Sequence, residues 1–296
     1  MATIPLPDGR QIDLGRPLIM GIANITPDSF SDGGRWTDAD AAVQHCLDMA
    51  EAGADLIDVG GESTRPGSRR VPAEEQIRRA VPVIKKLTPL LAQRHEGVAI
   101  SIDTTSCRVA EAALGAGATV LNDVSAGRDD QRMFDLAKTS GAPIVLMHMR
   151  GTPATMQEAP HYDDVVAQVQ AFLMQRAAAA MQRGVEPQRI IIDPGIGFGK
   201  TRNHNLTLLA NLDHFTPGPH PVLLGTSRKR FMGAVCQRAD GTDPAPHELI
   251  EATCATTALG VAAGVAMFRV HDVLANRRAA DVSWAIVCAK HPIVAE

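Results

Sequence analysis

Ile190-Ile191-Ile192-Asp193-Pro194-Gly195-Ile196-Gly197-Phe198-Gly199-Lys200 is the stretch on which the fold turns. Three β-branched residues run into an aspartate, and the aspartate runs into a glycine-rich loop. An apolar run this short, bounded by turn residues, reads as a buried strand. It places a carboxylate at the strand's C-terminal end, where burial costs free energy unless backbone, a cation or a ligand pairs with it. Two nucleotide-binding loops are excluded here. Gly195 and Gly197 are followed by Lys200 where the dinucleotide fingerprint needs its third glycine. Gly199-Lys200-Thr201 has the tail of a P-loop, but Pro194 stands where the required glycine belongs.

Outward from this stretch the same unit repeats. Leu18–Ala23 is an apolar run ending on Asn24, followed by a polar loop and a helical pattern over about 38–52. Leu56–Val59 leads into Gly60-Gly61 and a helix from about 73 to 92. Val98–Ile102 ends on Asp103, with a helix to about 115. Thr119–Leu121 ends on Asn122-Asp123, and Pro143–Met147 on His148. The opening strand follows a helix over about 163–183. Pro221–Leu224 runs into Gly225-Thr226-Ser227-Arg228-Lys229. Val265–Phe268 ends on Arg269-Val270-His271, and a closing helix follows. Eight strand-then-helix units with no composition break predict a single domain over residues 1–296, an α/β (β/α)8 TIM barrel. The alternative fold is an open Rossmann-like sheet. Asp8-Gly9 sits between two short runs in residues 2–16, a hairpin signal; that hairpin is expected to cover the bottom of the barrel.

Composition narrows the function. The chain has 296 residues, a net charge of −4 and 3% aromatics with one tyrosine. There is no basic footprint for nucleic acid and little to stack bases on. Five widely spaced cysteines contain no Cys-x-x-Cys pair and are odd in number, so reduced thiols in a cytoplasm are expected. No basic segment followed by an apolar core marks a signal peptide. The longest mild apolar stretch, 252–268, is too short and too polar to span a membrane.

In a barrel of this kind the loops after the strands open on one face, and that face carries the chemistry. The polar strand ends Asn24, Asp103, Asn122, Asp193, Lys229, Arg269 and His271 therefore converge. Asp193 alone reads equally well as a carboxylate capping backbone amides. With Asp103 and Asn122 in equivalent places it becomes part of a hydrogen-bond-accepting pocket suited to a flat heterocycle with several N–H donors. Arg269 and His271 alternate, so both leave the strand on one side and suggest an anion site. Asp58 and Asp123 lie among glycines and polar neighbours and are expected to take local amides. His148 is expected to pack or to support the site from behind. Lys229 reads as a ligand donor, an ion-pair partner or a Schiff-base lysine, with Arg228 pointing elsewhere. Met147 and Phe198 read as packing, and both stand where they are able to flank a flat ring. The long loops at 24–34 and 62–67 read as lids or as plain connectors.

Taken together, NITPDSFSDGG (24–34), GGESTRPG (60–67), SIDT (101–104), NDVS (122–125), LMHM (146–149), DPGIGFGK (193–200), GTSRK (225–229) and RVH (269–271) resemble the dihydropteroate synthase family in order and over nearly the whole chain. The resemblance implies condensation of 6-hydroxymethyl-7,8-dihydropterin diphosphate with para-aminobenzoate, with Mg²⁺ assisting and a homodimer as the usual assembly. It implies that Asp103, Asn122, Asp193 and Lys229 bind the pterin, flanked by Met147 and Phe198, with Gly225 allowing close approach. Asn24 would ligate Mg²⁺. Asn24, Thr64, Arg65, Arg269 and His271 would hold the diphosphate. Phe30, Thr64, Pro66, Lys229 and Arg230 would surround the aminobenzoate, and Asp103, Lys229 and Arg65 would act in catalysis. Many family members carry a serine after Lys229 for the aminobenzoate carboxylate; Arg230 stands there here, and its cation or backbone N–H is expected to serve.

Two other readings stay open at this stage. One keeps the pterin pocket without the condensation: a pterin-binding methyltransferase domain, or an inactive paralogue. The other is a Schiff-base aldolase using Lys229.

Overall fold

The computed structural model describes residues 2–25, 38–62, 70–152 and 155–290. The chain opens with a two-stranded antiparallel hairpin, β1 (Thr3–Pro5) and β2 (Gln11–Asp13), paired Ile4 to Ile12. Strands β3 (Leu18–Asn24), β4 (Leu56–Gly60), β5 (Ala99–Asp103), β6 (Val120–Asp123), β7 (Ile144–Met147), β8 (Ile190–Asp193), β9 (Leu223–Leu224) and β10 (Met267–Val270) follow. They form one parallel sheet in the order β8-β7-β6-β5-β4-β3-β10-β9. The seam between β8 and β9 is made by a parallel bridge from Ile192 to Val222 and by the Ile192 N–H donating to the Pro221 carbonyl at 3.0 Å. The barrel is therefore closed most weakly there. The run Pro221–Leu224 contributes only Leu223–Leu224 as regular strand, because Pro221 has no N–H to give a ladder.

Helices lie between the strands: α1 (Asp38–Glu51), α2 (Ala73–Arg94), α3 (Cys107–Gly115), α4 (Arg132–Ser140), α5 (Val165–Gln182), α6 (Arg202–Ala210), the single turn α7 (Arg230–Gly233), α8 (Ile250–Ala262) and α9 (Val273–Lys290). Asp164 starts α5 by accepting the Val166 and Ala167 N–H groups, each at 3.0 Å. Among the described residues, no helix is long and apolar enough to cross a membrane.

Strand alternation divides the core in two. Ile19, Ile57, Ile100, Leu121, Ile144, Ile190 and Ile192 face the helices. Leu18, Met20, Leu56, Ala99, Val120, Val145, Ile191, Leu223 and Met267 face inward and pack with Ile4, Leu6 and Ile12 of the hairpin segment. The hairpin thus plugs the lower end of the barrel, as its Asp8-Gly9 turn suggested. Two residues further along the same strands, on the same inward face, stand Asp58, Asn122, Met147, Asp193, Gly225 and Arg269; Asp103 comes four residues after Ala99. A dry plug below and polar strand ends above follow from one period of two.

Candidate active site

Asp193 ends β8 with its carboxylate buried. One oxygen accepts the Gly195 N–H at 2.7 Å, which orients the group. Burial pushes its pKa up to about 6, against the pull of the Gly195 N–H and of Lys229, Lys200 and Arg269. The glycines after it are required by shape. Gly195 has φ +65°, and a Cβ there would lie 1.9 Å from the His148 carbonyl oxygen. Gly199 has φ +63° and would meet the Arg150 carbonyl oxygen at 2.6 Å.

Lys200 then turns inward. Its buried ammonium donates to the Gly195 carbonyl at 2.8 Å, the Phe198 carbonyl at 3.0 Å and His148 Nδ1 at 2.9 Å. Burial, and then the Lys200 charge, drives the His148 pKa down to about 2, so the ring is neutral and Nδ1 accepts. Burial lowers Lys200 itself to about 7. This places His148 behind the pocket, as expected from sequence. The role of Lys200 went unread, because nothing local says that a lysine following Gly-Phe-Gly points into the protein; its only signal was the motif it closes.

Across the mouth, Asp103 accepts from Arg269 Nη2 at 2.7 Å. Burial raises the Asp103 pKa, and the Arg269 guanidinium opposes that rise. Arg269 Nε donates to Asp58 at 2.6 Å, and Asn122 Nδ2 donates to the same Asp58 oxygen at 3.0 Å. Asp58 was expected to take local amides. Instead its partners are side chains on β6 and β10, because its position two residues after Leu56 turns it into the barrel, away from the chain that follows. Asp123, one residue out of that phase, does take local groups: the Ser125 N–H at 2.8 Å, the Ser125 hydroxyl at 2.7 Å and the Gly127 N–H at 2.7 Å.

Lys229 precedes α7 and holds its ammonium 3.9 Å from the centre of the Phe198 ring. Met147 and Phe198 pack with Val124, Met149 and Met156 in an apolar patch beside Asp193. A Cβ on Gly225 would lie 3.9 Å from Asp193 and from Arg269, in ordinary contact, so protein packing alone does not demand glycine there. Arg228 has φ +58° and points away into an ion pair with Asp272, its Nη2 at 2.8 Å. His271 Nδ1 lies 3.0 Å from the Ser227 hydroxyl, which also accepts the His271 backbone N–H at 3.1 Å. Ser227 thereby ties the β9 loop to the end of β10. Arg230 is exposed at the start of α7.

Asn24 ends β3, half-buried, facing Gly60 at the end of β4. Among the described residues, no group of three His, Cys, Asp or Glu side chains is placed to hold a metal ion. A single amide oxygen fits the role that Mg²⁺ asks of a protein when substrate phosphates and water complete the shell. Phe30, Thr64, Arg65 and Pro66 lie outside the described residues. Glu62 accepts the Val71 N–H at 2.8 Å and the Gln76 amide at 3.0 Å.

Carboxylates, an amide and cations thus face one barrel mouth beside an aromatic and thioether patch. Over residues 20–271 the chain matches the family of pterin binding enzymes. It is 46% identical over 87% of its length to dihydropteroate synthase of Mycobacterium leprae, covering 89% of that protein. It is also similar to two solved structures of the Xanthomonas albilineans dihydropteroate synthase. One, with 4-aminobenzoic acid, is 44% identical with a TM-score of 0.86, over 96% of this chain and 99% of that one. The other, with 7,8-dihydropteroate, is 42% identical with a TM-score of 0.83, over the same shares of both chains. The chain belongs to the dihydropteroate synthase family of pterin-binding enzymes.

Proposed function

We propose that this chain is a transferase that condenses 6-hydroxymethyl-7,8-dihydropterin diphosphate with para-aminobenzoate, giving 7,8-dihydropteroate and diphosphate. The observation that carries this reading is the convergence of Asp103, Asn122 and Asp193 with Lys229 and Arg269 in one barrel mouth. The Asp193 oxygen not bonded to Gly195, with the remaining lone pair of the other, accepts the pterin's ring N–H and exocyclic amine. Asn122 and Lys229 complete the polar rim, and Met147 and Phe198 cover the ring. Gly225 leaves the ring room against the strand.

The reaction breaks the C–O bond between the pterin methylene and the diphosphate. Positive charge develops on the methylene and spreads into the pterin, where the carboxylates of Asp103 and Asp193 favour it. Arg269, with Arg65 of the 60–67 loop, neutralises the departing diphosphate, and His271 and Thr64 donate hydrogen bonds to it. Asn24 would hold Mg²⁺, which when bound supplies further neutralisation of the leaving group. The arylamine nitrogen then forms the C–N bond and gives up a proton. Phe30, Pro66 and Arg230 would frame the aminobenzoate, the Arg230 cation or N–H facing its carboxylate. Orientation does the rest; no covalent intermediate with Lys229 is required.

A coupled assay for dihydropteroate from the two substrates, with and without Mg²⁺, tests this reading. Measurable pterin binding without turnover would favour a binding module or a methyltransferase domain instead. Trapping of Lys229 by borohydride with a carbonyl substrate would favour an aldolase. The expected setting is cytoplasmic, with no nucleic-acid or membrane partner. A homodimer is expected through α8 and α9, which pack together and leave Leu259, Val282 and Ile286 exposed.

A further inference from the structure

Asp58 is fully buried, yet among the described residues only one of its carboxylate oxygens is hydrogen-bonded. Such a group is costly to bury and stabilises a fold poorly. The bonded oxygen makes two contacts, and both are to side chains of the pterin-diphosphate site: Arg269 Nε at 2.6 Å and Asn122 Nδ2 at 3.0 Å. They reach it from β10 and β6, strands that flank the β3, β4 and β5 arc on either side. Each contact has a chemical consequence. Donation from Asn122 Nδ2 fixes which way the amide faces, so that its oxygen is turned from Asp58 and is left to accept a hydrogen bond. Capture of Nε by Asp58 and of Nη2 by Asp103 uses the side edge of the Arg269 guanidinium, leaving the end-on edge, with Nη1, for an anion.

We propose that Asp58 is the positioning residue of this site, setting Asn122 as an acceptor for the pterin and Arg269 as an end-on donor for the diphosphate. The inference rests on the reading of the site as one for pterin diphosphate. The residue touches neither substrate; it acts through the two that do.

Asp58→Asn tests it. The variant keeps the shape but replaces the second acceptor by a donor and removes the charge facing Arg269. By calorimetry, binding of inorganic diphosphate and of 6-hydroxymethylpterin, each measured alone, is expected to weaken by at least about tenfold, the loss typical of a charged hydrogen bond. In steady state the KM for pterin diphosphate rises, while the KM for para-aminobenzoate changes by less than about threefold. In the Arg269→Ala background, Asp58→Asn adds less than about twofold to the loss of diphosphate binding, because its route is already gone. Fully additive losses, or equal rises in both KM values, would mark Asp58 as merely structural and overturn the proposal. Ser101→Ala serves as the control: Ser101 is the β5 ladder partner of Asp58, with its own buried hydroxyl, and among the described residues that hydroxyl has no hydrogen bond to Arg269 or Asn122.

A measurement on the unaltered protein covers the case in which Asp58→Asn does not fold. The Arg269 Nε–H resonance, assigned by its loss in Arg269→Lys, is expected to stay protected from exchange when inorganic diphosphate is added. Loss of protection on binding would show that Arg269 leaves Asp58 to do its work, and the idea would fail. If the wild type binds neither probe, it is the pterin-diphosphate reading that fails, not the geometry around Asp58.

Discussion

Asp193 is held protonated to a higher pH than an exposed aspartate, up to about 6, chiefly by burial. In the proposed reading it binds the pterin as a carboxylate, because a protonated acid would present a donor to the ring's own donors. Pterin affinity is therefore expected to fall as pH drops through about 6, and kcat/KM to show an acid limb there; a flat profile between pH 5 and 7 would contradict this. Stability runs the other way. A carboxyl with a raised folded pKa binds its proton more tightly when folded, so its contribution is full below pH 4 and is lost as pH rises through about 6. Asp123, also raised to about 6 by burial, acts in the same sense. Asp193→Asn replaces one acceptor oxygen with a donor and should cost at least about 1.5–3 kcal/mol of pterin binding in calorimetry. At this scale the sequence was largely legible. Asp103, Asn122, Asp193 and Arg269 were found by their places at strand ends, while Asp58 was assigned to local amides because its neighbours look like a turn. The phase of Leu56 and Asp58 was the available signal, since they share the inward parity of Ile191 and Asp193.

The loop from Asp193 to Lys200 is the element on which the pocket depends. Three positive-φ glycines bend it, and Lys200 closes it from beneath by holding the Gly195 and Phe198 carbonyls. Tyr162 adds a bond from its hydroxyl to the Gly199 carbonyl at 2.8 Å, tying in the segment before α5. Lys200→Met keeps the chain length and leaves these carbonyls without their donor. It is expected to destabilise the fold by roughly 2–4 kcal/mol in urea titrations, given about 1–3 kcal/mol for each unsatisfied buried group. It should also weaken pterin binding, because Phe198 is carried by the same loop. Gly195→Ala should do more damage than a generic loss of glycine freedom, about 0.4–1 kcal/mol, since its Cβ would sit 1.9 Å from a carbonyl oxygen. Binding and stability equal to wild type in that variant would show the loop to be adaptable. The glycines themselves were readable as a turn. Which way Lys200 points was not, because its acceptors include His148, 52 positions away.

For the whole barrel, function and stability are segregated along the axis. Ile4, Leu6 and Ile12 seal the lower end against Leu18, Ile191 and Met267, an inward-facing layer below the polar mouth. Ile4→Ala is expected to cost about 2–5 kcal/mol of stability, as buried isoleucines do, with the KM for pterin diphosphate unchanged. An altered KM would mean that the plug and the mouth are coupled. The dimer proposed above would form through the outer face of α8 and α9. Leu259 is 65% exposed on α8, a helix rich in small residues. Leu259→Glu should convert a dimer to monomers in sedimentation velocity, and a wild type that sediments as a monomer would remove the expectation altogether.

By itself the sequence determined the repeat of strand and helix, the plug and the polar strand ends, because a period of two and the residues that break it are local properties of the chain. It also determined that Asp103, Asn122 and Asp193 share one mouth, since eight parallel strands put all their C-terminal ends on one side. Only the tertiary structure decided which donor meets which acceptor there. Arg269 and Asp58 are 211 positions apart and meet because β10 lies two strands from β4 across β3. The parity of a strand says which side a residue faces; the curvature and closure of the barrel say what it finds when it gets there.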